Sequence, residues 1–598
     1  MSSHPTHTWF DEVHATTGEL VVIPSISPDS PGENRCAERI ARLLRQESDL
    51  EPILWPTGDG RHNVASLLRG AHREGGSRTL ILLSHYDTVG VEEFRALDPD
   101  AGRIAFDPPR LARRLKEEAA LPGDASELFM FGRGALDMKS GVAIQIAVMR
   151  RLWQERADLG GNVLFLSCPD EENESLGILT ALPHLQRLQE EEGLSFIGAI
   201  NADYTAPRGA DEAARTVYSG TVGKLLPAFY ITGQTTHVGE PFRGVDAGEI
   251  AAELVRRLNL NSDLADSWSG AGALPPERAA PPMTLKVRDL KSSYNVQTAP
   301  DAFVYANWLT YTLTPAAALE KMEALATGAL KAVLEKRAEA FAAFTARGGE
   351  TAPPEEVPLT VLSFAALWRQ LLESGRWTDE AALDAWLDGL ADRLRLEVAA
   401  VVADPARLAS GLALPGDSRE LSRLLVSALV QEAGIRPPAI IVFFAPPYYP
   451  HIAPQENELT GALRQVLAPL AQTEPEEAQR SPLREKFRNA VPDPATPPVE
   501  LRGFYPYISD MSYLHLDESI RADLPALRSN MPLFGRGYWL DLEAVAQLQV
   551  PVANVGPWGK DAHGLTERVH MPYAFEVVPQ IIYETARHLL MPRHPSNE

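Results

Sequence analysis

Apolar and polar positions fall in alternating blocks along this chain, and the blocks predict a mixed α/β protein. Residues 1–70 read as a helix, a Pro-bearing loop from Pro24 to Gly32, a second helix around Ala37–Leu44 and strand material at Asn63–Leu68. Ile81, Leu82 and Leu83 form an uninterrupted apolar run, which predicts the end of a strand buried on both faces. A charged stretch over residues 91–127 reads as a surface insertion. Beyond it Val142, Ile146, Met149 and Trp153 recur at i, i+4, i+7 and i+11, the spacing of one buried helical face. NVLFLSC and SFIGAIN are two more apolar strands.

The texture changes at Thr216. Two strands, a loop with His237, an amphipathic helix from near Val245, and strands at Met283–Leu290 and Ser293–Tyr311 predict a small α+β unit inserted into the larger fold. Residues 345–437 open with GGETAPPEE and continue through stretches such as FAALWRQLLES. They predict a second, helical insertion whose amphipathic faces suit packing or an oligomer contact. The strand Ile440–Pro450 then closes the small unit, and a helix at Leu459–Leu470 returns to the main fold. After a Pro- and charge-rich loop at 473–498 come a strand, a Gly-bearing loop with His563, and a terminal helix.

At 598 residues the chain exceeds what one core organises, so two to four domains are expected. Only Cys36 and Cys168 are present, which gives no cysteine-based zinc site and fits a reducing compartment or indifference to redox. The start, MSSHPTHTWFDEVHATTGELVV, has no basic segment followed by an apolar one, and no later run approaches bilayer length. A soluble cytoplasmic protein is the expectation. A net charge of −24 argues against nucleic acid and anionic membrane as partners.

The chemistry lies where apolar segments stop. Four of them end at a ligand-type residue: His85, Asp137, the run Asp170, Glu171, Glu172, and Asp203. Each has an ordinary explanation by itself. A strand-end His is usually satisfied by a carbonyl, Asp137 suits a helix N-cap, and acidic runs are usually solvated. Together, and with His563, they sit where ligands gather in α/β sheets, beyond the carboxyl ends of strands. His85, Asp137, Glu172, Asp203 and His563 suit two divalent ions sharing one carboxylate, Zn²⁺ first, with Co²⁺ and Mn²⁺ as alternatives. Two such ions roughly 3.5–4 Å apart polarise a carbonyl and convert a bridging water to hydroxide. Asp87 is spaced to hold the second nitrogen of His85. Glu171, beside a ligand, is free to act as general base.

These residues resemble the ArgE/DapE/aminoacylase/carboxypeptidase family of di-zinc metallopeptidases. The matching pieces are SHYDTV at His85 and Asp87, GALDMKSG at Asp137, PDEENES at Glu171 and Glu172, NADYT at Asp203, TTHVGEP at His237, YNVQTAPD at Asn295 and KDAHGLTERV at His563. The likeness covers 15–330 and 440–590, and length and insertion look closest to the RocB-type arginine-utilisation branch. It implies a phosphorylase/hydrolase-like mixed-sheet catalytic domain (1–215 and 453–598), an inserted ferredoxin-like α+β lid (216–344, with its last strand at 438–452) and the extra helical insertion (345–437). It implies too that Asp137 bridges the metals, that His85 and Asp203 complete one site, and that Glu172 and His563 complete the other. Asp87 would orient His85 and Glu171 would be the base. His237 would reach a substrate carbonyl, often across a homodimer, and Asn295 would bind substrate.

Two departures stand out. Where many relatives carry an Arg for a substrate carboxylate, this chain reads YANWLTYTL, with Asn307 and Trp308; Arg243 and Arg288 are the substitutes at hand. The 345–437 insertion is absent from the simple pattern and is expected to cover the cleft or replace a dimer contact. Cys168 reads as core, His570 as a non-ligand, Asp510 as a supporting residue, and His4, His7, His588 and His594 as terminal. The expected activity is metal-dependent cleavage of an amide in a small peptide or N-acyl amino acid. An idle relative acting as a binding or scaffold protein is the alternative, and it would have no use for Glu171.

Overall fold

The computed structural model describes residues 9–591 except 47, 72–75, 119, 124–126, 210–213, 292, 403–416 and 472–496. His4, His7, His594 and nearly all of the 473–498 loop lie outside the described residues.

The architecture is mixed α/β. Among the described residues its main sheet has eight strands in the order Ile53–Pro56, His62–Leu68, Asn162–Cys168, Arg78–His85, Ser195–Asn201, Val552–Asn554, Arg215–Thr221 and Val499–Tyr505. The centre is parallel: Arg78–His85 pairs in parallel with both Asn162–Cys168 and Ser195–Asn201, and Val552–Asn554 continues from the latter. Parallel strands are covered on both faces, and every residue of Asn162–Cys168 is buried. One face packs on helices Trp9–Val21, Lys139–Gln154 and Val578–Leu590. The other packs on Leu176–Glu192, whose Ile178, Leu182 and Leu185 are buried.

The second sheet has five strands, in the order Met283–Asp289, Asp301–Thr310, Gly223–Thr232, Ala439–Tyr449 and Thr360–Ser363. Helices Ala247–Leu258 and Pro315–Ala346 pack against it and each other. The 345–437 segment contributes helices Phe364–Glu373, Glu380–Val402 and Ser418–Glu432, whose buried Leu367, Leu387, Leu425 and Leu429 join the same core.

Three local expectations change. The first strand after Thr216, Arg215–Thr221, belongs to the large sheet, paired with Val499–Tyr505; only Val222 separates it from Gly223–Thr232 of the small one. The 345–437 segment also supplies a strand, Thr360–Ser363, parallel to Ala439–Tyr449. The charged stretch after residue 91 folds around its own cluster of Phe94, Ile104, Phe106, Leu111 and Leu115. Among the described residues no helix is long and apolar enough to cross a membrane.

Candidate metal centre

His85 is the last residue of its strand and Asp203 follows the end of the neighbouring one, so the two project from adjacent parallel strands. Asp137 immediately precedes the Met138 cap of helix Lys139–Gln154. Its side chain does not cap that helix. Instead Asp137 Oδ1 lies 3.1 Å from His85 Nε2 and Oδ2 lies 3.0 Å from His563 Nε2. Glu172 Oε1 is 3.2 Å from the same His563 nitrogen. Two donor groups result, His85 with Asp137 and Asp203, and Asp137 with Glu172 and His563; within each, the donor atoms lie within 4.8 Å of one another. Asp137 is common to both. Imidazole nitrogens and carboxylate oxygens in sets of three suit borderline divalent ions with room for an outside ligand.

Glu171 belongs to neither group. Its Oε2 is 3.8 Å from His85 Nε2. Asp87 is fully buried and serves two tasks: Oδ1 lies 3.4 Å from His85 Nδ1, and its two oxygens accept the Glu171 and Glu172 amides at 3.2 and 3.1 Å. One carboxylate therefore holds the turn bearing the two acids and stands within ion-pair distance of a histidine.

The electrostatics follow from crowding acids in a dry place. Burial, then the charge of Asp137, pushes Asp203 up to about 8. Burial also raises Glu171 well above the carboxylate range, aided by Asp203 and Glu172 and opposed by His85. For His563, burial works against the imidazolium, but hydrogen bonds to Asp137 and Glu172 outweigh it and lift the ring to about 11. Asp137 is held well below its usual value, its burial overcome by the bonds from His563 and His85. A cation among these carboxylates would relieve the same crowding.

Several supporting residues gave no sequence signal. Asn554 Oδ1 accepts the Asp203 amide at 3.1 Å and its Nδ2 donates to the Asp203 carbonyl at 2.8 Å. Glu567 Oε1 accepts the amides of Leu136 and Asp137 at 3.2 and 3.3 Å. Arg133 pairs with Glu567 and donates to the His563 carbonyl at 3.1 Å. His563 and Asp170 both take left-handed backbone, at φ 63° and 69°, an uncommon conformation that clusters at functional positions.

His237 and Asn295 are exposed on an irregular ladder of the small unit, where His237 bridges Gln297, and none of their hydrogen bonds reaches the cluster. Arg243 is exposed and paired with Glu240 and Glu355; Arg288 is paired with Glu420 at 2.6 Å. Trp308 is core, its indole donating to the Leu264 carbonyl. Both cysteines are buried and free. Asp510 is buried, its carboxyl pushed up by burial and within electrostatic reach of His85 and Asp87. His570 packs edge-on against Phe129 and Trp558, away from the ligand groups.

The sequence profile of Peptidase family M20/M25/M40 matches residues 81–570. Protein RocB of Bacillus subtilis is 31% identical over 599 residues, covering 97% of this chain and 95% of that protein. A succinyl-diaminopimelate desuccinylase of Cereibacter sphaeroides is 28% identical over 246 residues, 41% of this chain and 55% of that protein. Among solved structures, the Bacillus subtilis YXEP protein, described as a dinuclear metal binding peptidase from the M20 family, superposes with a TM-score of 0.47 at 11% identity, covering 97% of each chain.

Proposed function

Because this chain belongs to peptidase family M20/M25/M40, we propose that it is a metal-dependent hydrolase cleaving the amide bond of a small peptide or an N-acyl amino acid. The observation that carries this reading is the shared carboxylate: Asp137 turns one oxygen to His85 and the other to His563. On this reading His85, Asp137 and Asp203 would hold one divalent ion, and Asp137, Glu172 and His563 a second, with Zn²⁺ the first candidate. Such a pair, when bound, polarises the scissile carbonyl and makes a nucleophile of water near neutral pH. Glu171 takes the proton of that water and delivers it to the leaving nitrogen. Burial, aided by Asp203 and Glu172, raises its affinity for that proton above that of an ordinary carboxylate. Asp87 keeps His85 and the acid-bearing turn in register.

The name of the desuccinylase relative describes removal of a succinyl group, which keeps N-acyl amino acids beside peptides as substrates here. His237 and Asn295, with the exposed Val238, Tyr294 and Val296 near them, support a homodimer in which the small unit reaches a substrate across the contact. A cytoplasmic setting belongs to the same reading.

The test is metal content by mass spectrometry on the purified protein, with hydrolysis of dipeptides and N-acyl amino acids before and after chelation. About two ions per chain and cleavage that chelation abolishes and zinc restores are expected. Protein that stays inert with Zn²⁺, Co²⁺ or Mn²⁺ supplied would overturn the hydrolase.

A further inference from the structure

Lys224 lies at the start of strand Gly223–Thr232 in the small sheet, in register with Tyr449 of the neighbouring strand. Its ammonium sits over the Tyr449 ring, 5.5 Å from the centroid. The hydroxyl of Tyr449 is 2.8 Å from Ser175 Oγ. Ser175 in turn donates its amide to the Asp170 carbonyl, closing the turn that carries Glu171 and Glu172. Lys224 is therefore connected, through the Tyr449 ring and Ser175, to the turn that carries the proposed base, and it lies within electrostatic reach of Glu171.

The helix Ser418–Glu432 of the 345–437 segment comes to the same place. Ser418 Oγ donates to Glu174 Oε1 at 2.6 Å, and Arg419 approaches that carboxylate at 3.6 Å while pairing with Asp417 at 2.6 Å. Arg419 is thus already committed to two acids, as Arg243 and Arg288 are to theirs. Lys224 differs: it is half-buried and makes no hydrogen bond or ion pair among the described residues. Burial, then Arg419, lowers it to about 8, against the pull of Glu171, so it remains an ammonium at neutral pH. A desolvated cation without a counterion is costly, and a ring face compensates only in part.

We infer that Lys224 receives a carboxylate of the substrate. The inference rests on the hydrolase reading and narrows its substrate class to amides bearing a free carboxylate. Both the amino-acid side and the acyl side of the bond offer one. The neighbouring Asp417 and Glu174 hold Arg419 away, so a single point charge, rather than a guanidinium fork, recognises the anion.

The test is calorimetric binding to zinc-loaded protein in a Glu171→Ala background, where turnover is suppressed and affinity is read alone. Three probes separate the sources: N-acetyl-leucine, with its carboxylate on the amino-acid side; N-succinyl-leucinamide, with it on the acyl side; and N-acetyl-leucinamide, with none. At least one charged probe is expected to bind about tenfold or more tighter than the neutral one. Adding Lys224→Met should erase that preference, and Lys224→Arg should keep most of it at unchanged zinc content. Which charged probe is preferred identifies the side. A preference that survives Lys224→Met, an equal loss for charged and neutral probes, or no preference at the outset overturns the inference. Failure of the hydrolase reading would show separately, as wild-type protein that cleaves no amide.

Discussion

Arg61 Nη1 lies 2.6 Å from Asp170 Oδ1, with the two side chains 3% and 2% exposed. The same nitrogen reaches Glu33 at 3.0 Å, and Asp170 Oδ2 accepts the Leu176 amide at 3.0 Å. This pair anchors the turn that presents Glu171 and Glu172. Removing one partner of a buried pair leaves the other charge uncompensated, so Arg61→Leu should cost about 3–5 kcal/mol. Urea unfolding of the zinc-loaded protein measures it. A loss below about 1 kcal/mol, the worth of an exposed pair, would show that the turn holds without Arg61.

That dependence explains how much of the site was legible in sequence. His85 and Asp203 announce themselves because an apolar strand stops abruptly at a ligand-type residue. Asp137 is ambiguous there, since a cap and a ligand occupy the same place before a helix, and only its contacts with His85 and His563 decide. Arg61, Asn554 and Glu567 leave no local trace. Each acts on a residue far away along the chain, and such a pairing exists only in the folded protein. The fold shows the same limit. Sheet membership is a tertiary property, so Arg215–Thr221 and Gly223–Thr232, adjacent in sequence, part company. Thr360–Ser363 is too short to show a period.

A second site of sensitivity is Gly556. A Cβ there would run into the Asp203 carbonyl oxygen, which also accepts a hydrogen bond from Asn554 Nδ2. The atoms it would meet are backbone of Ala202 and Asp203, so no flexible side chain can yield. Gly556→Ala should displace Asp203 and weaken zinc binding at the His85–Asp203 side by about 10–100-fold, the scale of a lost orienting contact. Zinc titration against a chromogenic chelator checks this. Gly18, in helix Trp9–Val21, is the control, because a Cβ added there would meet nothing within 4 Å; Gly18→Ala should stabilise by about 0.5–1 kcal/mol and leave zinc affinity alone.

Glu171→Gln keeps the shape of the side chain and removes its basicity. With the ligand groups intact, zinc content should be unchanged while kcat falls by about 10²–10⁴, the usual worth of a general base. Steady-state kinetics beside metal analysis separates the outcomes. If zinc is lost along with activity, Glu171 is a ligand and not the base.

His570 gives a pH signature away from the proposed ligand groups. Burial, then Arg215, lowers its pKa from 6.5 to about 4. The neutral ring is favoured in the folded state, so its contribution is present above pH 6.5 and is lost as pH falls from there toward 4. Its size is at most about 3 kcal/mol. Replacing the ring by Gln removes the titration. The wild-type minus His570→Gln difference in urea-derived stability should therefore shrink between pH 7 and pH 4; a difference flat across that window would contradict the assignment.

Metal binding itself should expel protons. The proposed ligands must bind as neutral imidazole and ionised carboxylate, yet without an ion Asp203 titrates near 8 and His563 near 11, and His85 is raised well above its usual value because Glu171, Asp137 and Asp87 overcome its burial. At pH 7 Asp203 and His563 then hold protons that an incoming Zn²⁺ displaces, and His85 is shifted in the same direction. Affinity should accordingly rise with pH through neutrality, and removing zinc with a chelator should make the protein take protons up. Calorimetric zinc titrations at pH 7 in buffers of different ionisation enthalpy count the protons directly. More than about one released per chain is expected, and heats independent of the buffer would mean that the groups around Asp137 are already in their metal-binding state. His563→Ala, which removes a protonated ligand along with its ion, should lower both the number of ions bound and the number of protons released, linking the two counts to the same cluster.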